Sequence, residues 1–296
     1  MNRAVGVNMR LDKYLADMGV GSRSDIKKAI RKCKVTVNGG VVRDAGESVP
    51  EGAVITFFDE EIIYQKFQYY MMNKPAGVIS ASEDRHQATV VDLIRDDVFG
   101  GQVRKDLFPV GRLDKDTEGL LLITNDGQMA HRLLNPKHHI DKAYYAVVTG
   151  IVSEEDIEKF KRGIRFDEHL TAMPAGLSIL STGKTVKELA DKLQLSADPE
   201  RFERVRLSGA RFVGAEGPAA ITDETVCSEI RVVIQEGKFH QIKKMIRALP
   251  GDKDVLYLRR MSMGDIQLDE SLAPGEYRSL TEEEMDILTK SLGNED

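Results

Sequence analysis

The sequence predicts an α+β chain of two units. A small N-terminal unit of two helices and a β-hairpin comes first, then a larger unit built on a mixed, mostly antiparallel sheet. Three observations predict it. Helical and strand periodicities follow one another without the regular βαβ alternation of a doubly wound sheet. Charge is unevenly spread: residues 1–50 hold ten Lys and Arg (Arg3, Arg10, Lys13, Arg23, Lys27, Lys28, Arg31, Lys32, Lys34, Arg43) against five acids (Asp12, Asp17, Asp25, Asp44, Glu47). At 296 residues the chain is also long enough for more than one domain, and we divide it into units 1–60 and 61–296.

The net charge of −6 is an average that conceals this asymmetry, since the last sixteen residues hold six acids and Lys290 alone. A basic end joined to a more acidic body suits a module for a polyanion. No apolar run approaches the roughly 18 residues of a membrane span. The N-terminal MNRAVGVNMRLDKYL lacks a signal peptide's unbroken apolar core. With only Cys33 and Cys227 there is no disulfide framework and no CxxC metal pair, so the expected compartment is a reducing cytoplasm.

Taken in order, Leu11, Leu15 and Met18 recur at helical spacing, and Gly19 supplies the stop. Ser22 caps a second helix with an apolar stripe of Ile26, Ala29, Ile30 and Cys33. Its other side carries Arg23, Lys27 and Arg31 four residues apart, with Lys28 and Lys32 beside them. Val35–Val37 and Val41-Val42 flank Asn38-Gly39, a hairpin signal, and Val54–Phe57 is a further strand. After the acidic Asp59-Glu-Glu61, a strand at Tyr69–Met72 breaks at the turn-forming Asn73-Lys-Pro-Ala-Gly77. Val90, Val91, Leu93 and Ile94 fit a short helix or strand. Leu120–Thr124, Lys142–Val148 and Ser228–Ile234 read as strands. Gln128–Leu134, the segment capped by Ser153, and Gln241–Leu249 read as helices. Residues 181–226 read as an insertion with a helix (Val186, Leu189, Ala190, Leu193) and arginines Arg201, Arg204, Arg206 and Arg211.

The densest motif is Gly111-Arg-Leu-Asp-Lys-Asp-Thr-Glu-Gly-Leu-Leu-Leu-Ile-Thr-Asn-Asp-Gly127. Its alternating acids Asp114, Asp116 and Glu118 invite a calcium-loop reading. That reading fails, because Asn125 stands where the bidentate Glu belongs and a strand follows. A glycosidase needs carboxylates on either side of a sugar bond, which neighbours on one loop do not provide. His138 and His139, adjacent on what reads as an extended segment, point apart and are no metal pair.

Residues 9–58, with Arg10-Leu-Asp-Lys13, Gly21-Ser-Arg23-Ser and Val35-Thr-Val-Asn-Gly39, resemble the small RNA-binding domain first named for a ribosomal protein of the small subunit. The 111–127 motif resembles the signature of the bacterial rRNA pseudouridine synthases. So do Asn73-Lys-Pro-Ala-Gly77, Lys142-Ala-Tyr144, Glu236-Gly-Lys-Phe-His-Gln-Ile-Lys-Lys-Met245 and the run Leu258–Gly264. Ala143, Met261 and Ser262 depart from the family pattern. The resemblance spans residues 9–180 and 227–285, and it points to the small-subunit pseudouridine synthase A branch.

The resemblance implies a cofactor-free, metal-free isomerisation of uridine in rRNA, with small-subunit rRNA as the substrate. It makes Asp114 the catalytic carboxylate, Tyr144 the active-site aromatic and Lys243 the cation paired with Asp114. Arg112 would engage RNA near the vacated position, and Arg23, Lys27, Lys28, Arg31 and Lys32 would hold phosphates. Ribosomal RNA or a pre-ribosomal particle is the expected partner of a monomeric chain. Two alternatives stay open: a sister enzyme acting on large-subunit rRNA, and a non-catalytic ribosome-assembly factor on the same fold.

Overall fold

In the computed structural model, which describes residues 9–97, 103–166, 170–190 and 221–291, the apolar spacing at the N-terminus becomes a packed core. Strand β1 (Met9–Arg10) leads into helix α1 (Leu11–Asp17), whose Leu11 and Leu15 are fully buried together with Met18 just beyond its end. Gly19 turns the chain at φ +73°, and a side chain there would collide with the Val103 carbonyl of the larger unit. Helix α2 (Arg23–Arg31) starts at Ser22, whose hydroxyl accepts the Asp25 amide at 3.2 Å, and buries Ile26, Ala29 and Ile30. Cys33, expected to continue that stripe, is exposed instead. The helix ends two residues earlier, and Cys33 takes a left-handed conformation (φ 56°).

The hairpin forms as β2 (Val35–Val37) and β3 (Gly40–Val41), joined by Asn38 and Gly39, both left-handed. After β4 (Ser48–Val49), which pairs with β1, come β5 (Ile55–Phe57) and β6 (Glu60–Ile62), and the sheet runs β3-β2-β5-β6. One apolar cluster from Leu11 to Tyr64 sits between this sheet and the two helices.

The larger unit is organised by its strands. They are β7 (Tyr69–Lys74), β8 (Phe108–Pro109), β9 (Glu118–Thr124), β10 (Lys142–Thr149), β11 (Gly176–Thr185), β12 (Val226–Ile234), β13 (Val255–Met263), β14 (Ile266–Gln267) and β15 (Tyr277–Ser279). The order is β11-β12-β10-β13-β9-β7-β15, with β14 on β13 and β8 on β9. All pairings are antiparallel except β13 with β9, where Arg260 lies beside Gly119. Gly119 (φ +95°) permits this approach, since a Cβ there would strike the Arg260 carbonyl.

Strand β9 is buried along its whole length, and each of its Leu and Ile side chains gains about 1.5–3 kcal/mol from leaving water. Around the sheet pack α3 (Val90–Asp97), α4 (Gly127–Leu134), α5 (Glu154–Arg162), α6 (Val186–Leu189), α7 (Gln241–Arg247) and α8 (Glu282–Ser291). Two more differences from the sequence reading have local causes. Strand β7 runs on through Lys74, because Asn73 and Lys74 keep pairing with Leu120 and Gly119. His138 closes a 3-10 turn (Pro136–His138) and His139 is left-handed, so that segment is not extended. Of the helix expected in the 181–226 stretch, α6 is described, while Leu193 and the four arginines lie outside the described residues.

Candidate active site

Three stretches far apart in sequence meet on one side of the sheet. The first is the loop joining β8 to β9, residues 110–117, whose shape is dictated by its own backbone. Gly111 is left-handed (φ +77°), the Asp114 carbonyl accepts the Thr117 amide at 3.1 Å, and Ser80 exchanges two hydrogen bonds with Leu113, at 2.9 and 3.1 Å. Beneath the loop lies the fully buried Lys74. Its ammonium donates to the carbonyls of Pro75 (2.9 Å), Lys115 (3.3 Å) and Thr117 (3.0 Å). Burial pushes the Lys74 pKa down to about 8, and the nearby Asp116, Glu118 and Asp114 limit the fall. The Asn-Lys-Pro-Ala-Gly turn is therefore the staple under the loop.

The second stretch is the middle of β10, which β12 and β13 flank. Tyr144 is 7% exposed and lines the cleft, at a register shift between Ala143 and Tyr144 against β13. The third is the turn Glu236–His240 with α7. Glu236 accepts from the Gln241 side chain and the Met173 amide, both at 2.8 Å, and from Lys238 at 2.8 Å. Gln241 in turn accepts the Lys238 amide at 2.9 Å. These bonds hold the turn, while Ile242, Met245 and Ile246 anchor α7 in the core.

The cleft is open to solvent and encloses about 420 Å³ counting its mouth, with Arg112, Asp114, Thr117, Tyr144, His240 and Lys243 in its wall. Lys243 Nζ stands 3.2 Å from Asp114 Oδ2 and 2.5 Å from Asp116 Oδ1, with only 12% of its side chain exposed. It is shared by two carboxylates. His240 Nε2 lies 3.6 Å from Asp114 Oδ1. Thr117 Oγ1 is buried in the wall with no hydrogen-bond partner among the described residues.

Asp114, Tyr144, Lys243 and Arg112 thus share one cleft, with Arg112 exposed on its wall. The cations of α2 do not line it: Arg23, Lys27, Lys28, Arg31 and Lys32 are exposed on the small unit. Sequence reading singles out neither His240 nor the second acid, Asp116, as partners in this cluster. His240 lies inside the Glu236–Met245 motif, and Asp116 enters only as a rejected calcium ligand. Among the described residues, no three His, Cys, Asp or Glu are grouped to hold a metal ion.

A basic two-helix module ahead of a mixed sheet with a cation–carboxylate cleft is the build of an RNA-acting enzyme. The S4 domain model matches residues 9–55, and the RNA pseudouridylate synthase model matches residues 68–248. An uncharacterized RNA pseudouridine synthase, YtzG of Bacillus subtilis strain 168, is 39% identical over 285 residues, spanning 95% of this chain and 99% of its own length. Ribosomal small subunit pseudouridine synthase A of Escherichia coli K12 is 32% identical over 281 residues, covering 94% and 98%. A crystal structure of a pseudouridylate synthase superposes with a TM-score of 0.54 at 32% identity, over 95% of this chain and 99% of that one. The chain belongs to the RNA pseudouridylate synthase family, and its activity is that of an isomerase.

Proposed function

We propose that this chain converts a specific uridine of small-subunit ribosomal RNA to pseudouridine, with Asp114 as the catalytic carboxylate. The observation that carries the reading is the ion pair of Asp114 with Lys243 at 3.2 Å, in the same cleft wall as Tyr144. The isomerisation breaks the bond from uracil N1 to the ribose carbon, turns the base, forms a bond from that carbon to C5 of the base, and exchanges the proton lost from C5 for one gained at N1. Substrate and product have the same atoms, so the balance needs no co-reactant. Asp114 serves either by attacking the sugar or by taking a sugar proton, and both roles require the charged carboxylate. A carboxylate in a site that sheds water on binding RNA keeps its charge through an adjacent cation. Lys243 supplies it, and Asp116 holds Lys243 in place.

Before reacting, the uridine leaves its stack, at a cost of a few kcal/mol recovered by contacts in the pocket. Tyr144 gives the base a flat face and a hydroxyl within the cleft to help remove the proton from carbon. Thr117 Oγ1 is available to a polar edge of the base. Arg112 meets the RNA at the rim, and the α2 cations add phosphate contacts that position without reading sequence. In this reading the chain divides near residue 60 and works as a monomer in the cytoplasm on rRNA or a precursor particle. The insertion expected at residues 181–226 is then the stretch between β11 and β12, since Ser181–Thr185 and Val226 belong to those strands. The small-subunit target is supported by relatives of 32–34% identity that bear that name. The test is incubation with small- and large-subunit rRNA fragments followed by detection of pseudouridine. We expect product in the small-subunit fragment. Product only in the large-subunit fragment moves the target to the other subunit, and none in either removes the activity.

A further inference from the structure

Beside the cleft is a surface that the reaction does not use. Phe239 leaves 68% of its surface in solvent, the most among the described large hydrophobic side chains. Its ring stacks on the His240 imidazole, with centroids 3.8 Å apart and planes 19° from parallel. His240 is the residue that reaches Asp114 at 3.6 Å. On the other side of His240 a second groove opens, enclosing about 630 Å³ with its mouth, lined by Phe166, His240, Lys244, Arg247 and Ala248. Lys244 Nζ lies 5.4 Å from the Phe239 ring centre and 5.8 Å from that of Phe166. Arg247 is oriented toward Asp254 by two hydrogen bonds, at 2.9 and 3.1 Å. His240 therefore belongs to the walls of both grooves and joins them.

We propose that the Phe239–His240 stack is a platform for the unpaired base next to the target nucleotide, which lies along the second groove with its phosphate near Lys244. The inference rests on the reading of the first cleft as the seat of the everted uridine. One face of the Phe239 ring rests on His240 and the ring is otherwise open beside the cleft, so a second flat group can stack on it. The partner's chemistry follows from what surrounds the ring. A flat apolar face, flanked by cations and continuous with an RNA site, matches a base and its phosphate, the combination used by single-strand binding surfaces. Everting one nucleotide also unstacks its neighbour, and a ring beside the cleft restores stacking to that base. Base identity is read weakly here, because every base has a π face.

The test uses the full chain in an Asp114→Asn background, with an eight-nucleotide oligouridylate carrying one central 2-aminopurine, whose fluorescence falls on stacking. Adding Phe239→Ala is expected to weaken binding about tenfold and abolish the quench, while Phe239→Trp keeps both. With Asp114 restored, Phe239→Ala raises KM for small-subunit rRNA about tenfold and moves kcat far less. Binding within twofold of the parent with the quench retained overturns the platform. So does a loss confined to kcat, which would reduce Phe239 to a prop for His240. If Phe239 controls binding and quench while the parent forms no pseudouridine, the platform stands and the proposed activity falls.

Discussion

The cations of the small N-terminal unit and those at the centre of the larger unit carry the same charge in opposite surroundings. Arg23, Lys27, Lys28 and Arg31 on α2, and Lys32 at its C-terminal end, stand in solvent. There each interacts with counter-ions and phosphates at high dielectric, for modest and salt-dependent gains. Lys74, Lys142 and Lys243 are largely enclosed, and each has a fixed set of acceptors. Lys74 grips three loop carbonyls, Lys142 the Ile140 and Gln235 carbonyls at 3.1 and 3.4 Å, and Lys243 two aspartates. Exposed charge supplies affinity; enclosed charge supplies geometry. A substitution in the first set should change how tightly RNA is held, and one in the second whether the cleft exists or works.

The sharpest separation comes from Asp114, the carboxylate that the enclosed Lys243 pairs with. Asp114→Asn keeps the side chain's shape and removes its charge, so pseudouridine formation should fall by roughly 10⁴-fold or below detection. RNA affinity should stay within a few-fold, because the phosphate contacts lie elsewhere. Near-normal turnover would remove Asp114 from the chemistry. Next in size is Lys74→Met, which leaves the Pro75, Lys115 and Thr117 carbonyls without their donor. Unfolding in denaturant should show a loss of about 2–4 kcal/mol. Turnover of the folded fraction should drop as the loop slackens. A variant as stable as the parent would mean that Lys74 is not the staple.

Much of this is legible in the sequence, and the rest is not for definite reasons. Helix α2, the Asn38-Gly39 hairpin and buried β9 follow from local rules: a capping Ser22, a left-handed dipeptide, a continuous apolar run. Asp114, Tyr144 and Lys243 stand out from their motifs, yet no motif carries the distance between residue 114 and residue 243. That closeness is produced by β9 pairing in parallel with β13, which follows α7, and Gly119 is the residue that permits it. Lys74 reads as part of a turn because its partners are carbonyls, which leave no trace in side-chain patterns. His240 and Asp116 are polar and have a place in recognisable motifs, but nothing in the sequence names their partners. Cys33 matches the helical period and still falls outside the helix, since periodicity does not register where a helix stops.

The exposed set is tested by charge removal without disturbing the fold. Replacing Arg23, Lys27, Lys28, Arg31 and Lys32 together by Gln leaves the buried face of α2, Ile26, Ala29 and Ile30, untouched. The slope of log affinity against log salt should flatten by about 0.7–0.9 for each phosphate no longer neutralised, and KM should rise about tenfold. An unchanged slope would deny the small unit its role as the basic module. A fall in kcat instead would erase the contrast between the two sets of cations.

The smallest effect concerns the cost of enclosure itself. Burial pushes the Lys142 pKa down to about 8, with the nearby Arg260 adding to the fall, and burial does the same to Lys74. Below about pH 8 both lysines are protonated in the folded and the unfolded chain alike, so stability is flat in pH. Between about 8 and 10.5 the unfolded chain holds protons the folded chain has released, so raising the pH favours folding. The buried tyrosines Tyr69 and Tyr145, their pKa values raised by burial and by hydrogen bonds to Asp126 and Glu229, act in the opposite sense above about pH 10. The window that separates the lysines from the tyrosines is therefore about pH 7.5–9.5, and at its upper end the buried Cys227 thiol, pushed up to about 11, offsets part of the rise. The free energy of unfolding there should rise with pH by an amount on the order of 1–2 kcal/mol for each lysine, and Lys142→Met should remove roughly half of the rise whatever it does to absolute stability. A parent chain whose stability is level across that window would mean that both ammonium groups keep their ordinary affinity for protons inside the fold.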